Sequence, residues 1–392
     1  MQIQNSIAER WKNIGKSIFS EMSALAQQHN AINLGQGFPD FSGPQEILHS
    51  ISNQLVHCHN QYSPPQGESL LRVQVAKFIE NLAGVTYDPN SEVTITHGAT
   101  EALFSSVTAL VNQGDKVLLF EPAFDLYYQA IANAGGTVVP FSLKAPDISL
   151  GSWTLDWSKF EAVCASGIKL AIFNSPHNPT GKVFTEDEIL RIASIFAKHG
   201  IIAICDEVYE NLVYEPFKHF SLSNVAKIRP LVIRISSAGK TFGFTGLRTG
   251  WVCAPANITE HIRIVHQATV FCLNPYTQLG LAEILSQTDW LTSYLSSQRK
   301  LYQLKRDFLT TTLEKSGYLV SKTEGTFFIT ANYKNLGGDI SDIIYTKQLL
   351  ITKKIATIPL SSFYQKSPNN FNWVRFAFCK KDETLIAASK LL

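Results

Sequence analysis

From Glu92 to Ala254, short β-branched and apolar runs alternate with stretches of helical periodicity, and this alternation leaves the chain few architectures. The runs are Val93–Thr96, Lys116–Phe120, Thr137–Phe141, Lys169–Phe173, Ile201–Cys205, Leu231–Ile235 and Gly250–Ala254. Helical spacing fills the intervals at Ala99–Val111, Phe124–Ala134 and Glu186–His199, the last opened by Thr185 with Glu188 three residues on, the pattern of a capping box. Several runs are apolar almost throughout, so both faces of the sheet should be covered. The expectation is an α/β fold built on a mainly parallel, seven-stranded, doubly wound sheet.

A chain of 392 residues exceeds one ordinary core, so a second, smaller unit is expected. After Thr277 a long helical stretch, SYLSSQRKLYQLKRDFLTTTLEKSG, leads to shorter strands around Thr326–Ala331 and Trp373–Phe378. We therefore place a large domain over residues 45–280 and a small α+β domain over 281–392. The N-terminal arm, 1–44, joins the small domain; in it Ser17–Gln28 reads as a helix preceding the loop NLGQGFPDF.

Composition narrows the function. A net charge of +2 with well-mixed signs offers no concentrated basic face for nucleic acid. The six cysteines form no C-x-x-C pair, so neither a metal site nor a disulfide framework is indicated, and a reducing compartment is the expectation. No run reaches the roughly 18 apolar residues of a membrane span, and the N-terminus has no signal-peptide core, which points to the cytoplasm. Ile3, Ile7, Trp11, Ile14 and Ile18 recur at helical spacing among Arg10, Lys12 and Lys16, as in a transit peptide, but Glu9 opposes that reading.

In an open parallel sheet, ligands bind beyond the carboxyl ends of the strands, so the residues there matter most. Val93–Thr96 runs through His97 and Gly98 into Ala99, Thr100 and a helix, whose free N–H groups and dipole suit a phosphate, although plain packing produces such turns too. Ile201–Cys205 ends in Asp206, either a helix cap or a partner for a cationic ring nitrogen. Lys169–Phe173 leads into a turn containing Asn178. After Leu231–Ile235 the chain reads SSAGKTFGFTGLRTGW, with Lys240 among small residues, Ser237 three before it and Arg248 eight after. A lysine that forms imines must lose its charge, which burial and cationic neighbours favour, while Ser237 and Arg248 can hold a dianion beside it.

With these motifs the sequence resembles the class I/II aminotransferases, pyridoxal 5′-phosphate (PLP) enzymes of fold type I, over essentially its whole length. NLGQGFPDF, NQYSP, HGATEAL, EPAFDLY, HNPTG, DEVYE, SSAGKTF and GLRTGW stand in the family's order. The resemblance implies that Lys240 carries PLP as a Schiff base and that Asp206 keeps the pyridine nitrogen protonated, so that the ring acts as an electron sink. It implies that Asn178 and Tyr209 reach the ring's phenolic oxygen and that Phe124 stacks on its face. Ala99, Thr100, Ser237 and Arg248 would bind the phosphate, joined by Tyr62 from the other subunit of a homodimer. Arg375, with the backbone of Gly37, would bind the substrate α-carboxylate, a bidentate task for arginine.

The implied reaction is transamination between an amino acid and a 2-oxo acid. The segment His266–Gln278 contains no arginine or lysine to meet a side-chain carboxylate, so a neutral side chain is expected. Ile18, Phe19, Tyr62 and Phe271 are candidate walls of its pocket. Within the family the chain is most similar to bacterial methionine and kynurenine aminotransferases, with methionine the first expectation and aromatic amino acids the second. A carbon–sulfur β-lyase would use the same fold and lysine. A PLP-sensing transcription regulator would need room for a winged helix ahead of the aminotransferase pattern, which here begins within the first 20 or so residues.

Overall fold

Each apolar run between residues 93 and 254 forms a strand in the computed structural model, which describes residues 8–12, 17–369 and 371–392. Half of the transit-peptide pattern, Ile3, Ile7, Ile14 and Lys16, lies outside the described residues. In chain order the strands are β1 (Ile32–Asn33), β2 (Val93–Thr96), β3 (Lys116–Glu121), β4 (Thr137–Ser142), β5 (Leu170–Asn174), β6 (Ile202–Asp206), β7 (Val232–Ser237), β8 (Gly250–Cys253), β9 (Leu319–Val320), β10 (Phe328–Asn332), β11 (Ile355–Ala356), β12 (Ile358–Pro359) and β13 (Trp373–Ala377). The large sheet has seven strands in the order β2-β8-β7-β6-β5-β3-β4. All neighbours are parallel except β8, which runs antiparallel to both β2 and β7. The link from β7 to β8 is taken up by the turn that carries Lys240, so the chain returns without a helical crossover.

Side chains alternate between the two faces with the period of two that a pleated strand imposes. Leu118, Phe120, Ala171, Phe173, Ala203 and Cys205 enter one core with Phe160, Phe184 and Phe196. Val117, Leu119, Leu170, Ile172, Ile204 and Ile233 enter the other with Val107, Ile131 and Ile262. Each large apolar side chain so buried stabilises the fold by roughly 1.5–3 kcal/mol.

β5, β6 and β7 run further than the apolar pattern, ending on Asn174, Asp206 and Ser237. Ladder pairing needs only peptide groups, so it continues past the last apolar side chain: Asn174 pairs with Asp206, and Ser237 with Gly250. These polar extensions deliver functional groups to the sheet's carboxyl edge.

The helix Glu186–His199 opens with the expected capping box, the Thr185 hydroxyl accepting from Glu188 N–H at 3.2 Å and the Glu188 carboxylate from Thr185 N–H at 2.9 Å. The long C-terminal helix spans Thr288–Lys315, starting earlier than its pattern suggests. Beyond it lies a four-stranded antiparallel sheet in the order β12-β13-β10-β9. β1 pairs in parallel with β11, which fastens the N-terminal arm to the C-terminal segment. All six cysteines are free, and among the described residues no helix is long and apolar enough to cross a membrane.

Candidate active site

The carboxyl ends of β5, β6 and β7 open onto a cavity of about 520 Å³, closed on its other side by the Gly35–Phe41 loop and by β10 and β13. At its floor Asp206 is buried at the end of β6. Its Oδ2 accepts from the Tyr127 hydroxyl at 2.7 Å and its Oδ1 from Val208 N–H at 3.2 Å. Burial pushes the carboxyl above its ordinary pKa, while the Tyr127 and Val208 donors pull the other way. Among the described residues no cation pairs with it directly, which leaves a buried carboxylate in want of one.

Lys240 sits in the short helix Ala238–Thr241 that follows β7, and its Nζ donates to Gly37 O at 2.9 Å. Burial lowers its pKa from 10.5 to about 8; Cys379 and Asp206 oppose this, and the nearby Arg375 and Arg248 reinforce it. The Tyr209 ring centroid is 5.6 Å from Nζ. The Ser237 hydroxyl caps the lysine's helix by accepting from Gly239 N–H at 3.2 Å.

Ser237, Ala99, Thr100 and Arg248 line one end of the cavity, where the helix Gly98–Leu110 begins. Gly98 turns the chain with φ of 73° into that helix, whose first turn brings Ala99 and Thr100, with N–H groups that have no partner within the helix, to the cavity wall. β8 approaches this turn so closely that a Cβ on Gly250 would lie 2.7 Å from Gly98 C and 2.8 Å from Ala99 N. The arrangement is a backbone cradle for an anion, flanked by a hydroxyl and a guanidinium.

At the other end stands Arg375, from the centre of β13 and 1% exposed. Its Nη1 donates to Asn178 Oδ1 at 2.9 Å and its Nη2 to Gly35 O at 2.7 Å, while Nε has no partner. The guanidinium lies 3.9 Å from the Phe328 ring centroid and 5.1 Å from that of Phe19. Burial drives its pKa down to about 10, and among the described residues no carboxylate pairs with it directly. An arginine held bare in an aromatic cage is prepared for an anion from outside.

Lys240, Asp206, Tyr209, Ala99, Thr100, Phe124, Asn178, Ser237, Arg248, Gly37, Arg375 and Phe19 therefore meet around one cavity. Ile18 does not reach it: on the helix Ile18–Gln28 it packs against the large-sheet core, while Phe19 turns to the cavity. Tyr62 and Phe271 also stand away from the cavity of their own chain. They are 80% and 43% exposed and meet edge to face at 5.0 Å. Sequence reasoning missed Tyr127, Asn174 and Phe328. Asn174 ties the site together, donating to Asp206 O at 2.8 Å and accepting from Asn178 N–H at 2.7 Å. It also missed a buried ion cluster behind Asp206, in which Arg234 contacts Glu207 at 3.0 Å and Glu210 more closely still. Its signal was present, an arginine in the middle of an apolar strand. Glu207, Glu210 and His219 lie close enough for a metal, but Arg234 already supplies that cation.

Comparison with known proteins agrees with this geometry. The family model for aminotransferase class I and II matches residues 29–391. Methionine aminotransferase of Escherichia coli is 38% identical over 97% of this chain and 96% of its own length. Human kynurenine–oxoglutarate transaminase 3 is 33% identical over the whole chain and 91% of its own length. The solved structure of N-succinyldiaminopimelate aminotransferase from Mycobacterium tuberculosis superposes with a TM-score of 0.93 at 35% identity, covering 98% of both chains. An anion cradle, a buried carboxylate and a lysine of lowered pKa fit the phosphate, ring nitrogen and aldehyde of one cofactor. The chain belongs to the class I and II aminotransferases, and its cofactor is pyridoxal 5′-phosphate.

Proposed function

We propose that this aminotransferase acts on amino acids with neutral side chains, methionine first and aromatic amino acids or kynurenine second. The observation that carries the reading is the count of cations in the cavity wall. Among the described residues Lys240, Arg248 and Arg375 are the only ones, and each has a task. Arg248 faces the cofactor phosphate with Ser237, Ala99 and Thr100. Arg375, steered by Asn178 and Gly35, takes the α-carboxylate. Lys240 is committed to the chemistry, so none remains for a second carboxylate on the substrate. Phe19, Phe124 and Phe328 offer an apolar wall instead.

When bound, PLP supplies an aldehyde that condenses with amines and a ring that accepts the electron pair released at Cα. Asp206, oriented by Tyr127 and Val208, keeps the ring nitrogen protonated, and its burial strengthens that pairing. Asn178 and Tyr209 would hold the ring's phenolic oxygen, and Phe124 would stack on its face. Lys240, with its amine free, would move the proton between the substrate Cα and the cofactor's C4′. Phe19 and the Gly37 loop shield this transfer from water. With the α-carboxylate fixed at Arg375 and the phosphate at Arg248, the Cα–H bond is held where Lys240 can reach it.

The decisive experiment is a matrix of amino donors against 2-oxo acid acceptors on purified enzyme. Methionine, phenylalanine and kynurenine should each exceed aspartate in kcat/KM, and the reverse order would sink the reading. Pyruvate and a thiol formed from a cysteine conjugate without any acceptor would instead mark a β-lyase.

The large domain of this reading spans residues 45–280, with the small one built from 1–44 and 281–392. The working unit is a homodimer in which Tyr62 and Phe271 face the partner's cavity; their exposure and distance from their own cavity support this. Sedimentation equilibrium should return twice the chain mass, and a fully active monomer would refute it. The six free cysteines suit a cytoplasmic enzyme, which fractionation of the source cells would test.

A further inference from the structure

Asp125 is a carboxylate in the cavity wall for which the reaction as read above has no use. It is the first residue of the helix Asp125–Ala134, directly after Phe124. Its Oδ2 accepts from the Ser17 hydroxyl at 3.3 Å. Ser17 occupies the N-cap position of the helix that carries Phe19, its hydroxyl turned to Asp125 instead of the helix, and Phe19 meets Phe124 edge to face at 6.1 Å. Ser17, Phe19, Phe124, Asp125 and Gln129 thus form one facet of the cavity. That facet adjoins the α-carboxylate site, since Phe19 also lies 5.1 Å from the Arg375 guanidinium. A substrate held by Arg375 would meet it with its side chain.

We propose that Asp125 sets the charge specificity of the enzyme, turning away donors and acceptors with an acidic side chain and accepting those whose distal group is neutral or donates a hydrogen bond. The inference rests on the reading of Arg375 as the α-carboxylate site. Two like charges about 5 Å apart in a partly desolvated cavity repel strongly enough to alter affinity on the order of 10²-fold. Both half-reactions use one cavity, so the same exclusion applies to the 2-oxo acid: acceptors with a second carboxylate should be poor, and neutral 2-oxo acids should take their place. Beyond the Ser17 contact, the carboxylate is held by the N–H groups of its own helix turn at Asp125 and Leu126 and by the field of Arg375, and an amide or amine on the substrate would add a further donor.

An acidic residue in the first turn also complements the helix dipole, and that role alone would affect every substrate alike. Glutamate and glutamine separate the two, because they differ in little but charge. The holoenzyme and its Asp125→Asn and Asp125→Ser variants are assayed for kcat/KM with each, using one neutral 2-oxo acid as acceptor. Asparagine keeps the acceptor for Ser17, and the serine variant serves if the first fails to fold. The wild-type enzyme should favour glutamine, and the glutamate-to-glutamine ratio should rise at least about 10-fold in the variants, whatever the level of either alone. A ratio that stays put, with both substrates falling together, would leave Asp125 a structural role only and overturn the proposal. Failure of the neutral-substrate reading looks different, since there the unmodified enzyme itself prefers aspartate to methionine.

Discussion

Lys240→Ala should lower kcat by more than about 10⁴-fold, beyond what removal of a positioned general base usually costs. The excess is expected because Lys240 has two tasks, holding the cofactor aldehyde and moving the Cα proton. Its surroundings are arranged for both. Burial takes the amine from 10.5 to about 8, so near neutrality an appreciable fraction is uncharged and nucleophilic. The pH dependence follows with a definite sign. Capture of PLP by apoenzyme needs the neutral amine, so its rate should climb through about pH 8 and level off above it, well before the midpoint of a solvated lysine. The Ala variant should still bind PLP through the phosphate cradle and Asp206, but the cofactor should wash out on gel filtration. Turnover within 100-fold of the unmodified enzyme, or a capture midpoint above pH 10, would contradict the assignment.

Much of this site was legible because it is written locally. Asp206, Ser237 and Lys240 stand just beyond the ends of apolar runs, and the end of such a run marks the neighbourhood of the sheet's carboxyl edge even where the strand itself continues a residue or two further. The contacts that tune those residues are not local. Tyr127 reaches Asp206 across 79 positions, Arg375 reaches Asn178 across 197 and Gly35 across 340. Such pairs depend on strand order, which periodicity does not encode. Ile18 and Phe19 mark a second limit: neighbours on one helix point about 100° apart, and the pattern alone did not tell which of them turns to the cavity. The exposed pair of Tyr62 and Phe271 marks a third, because what it faces lies outside its own chain.

Arg375→Met should lower kcat/KM for methionine by about 30- to 5000-fold, the range for truncating one member of a buried, hydrogen-bonded charge pair. Its effect on stability should be small, and the contrast is the informative part. Without substrate the guanidinium is buried against Phe328, Phe19 and Phe363. The depression of its pKa from 12.5 to about 10 corresponds to about 3 kcal/mol by which the site disfavours the charge. Methionine removes that burden and fills similar space. It also strips donors from Asn178 Oδ1 and Gly35 O, at about 1–3 kcal/mol each. The two effects nearly cancel, so Tm should move by no more than about 5 °C. Arg375→Lys keeps the charge but loses the planar fork, so it should recover only part of the activity. An arginine kept for packing would behave in the opposite way, with Tm falling steeply and kcat/KM per folded enzyme preserved. Retention of kcat/KM within 10-fold in the methionine variant would remove Arg375 from the substrate site. A large activity loss at nearly constant Tm would mean that the fold tolerates a buried charge, with no carboxylate bonded to it among the described residues, for the sake of the carboxylate it receives.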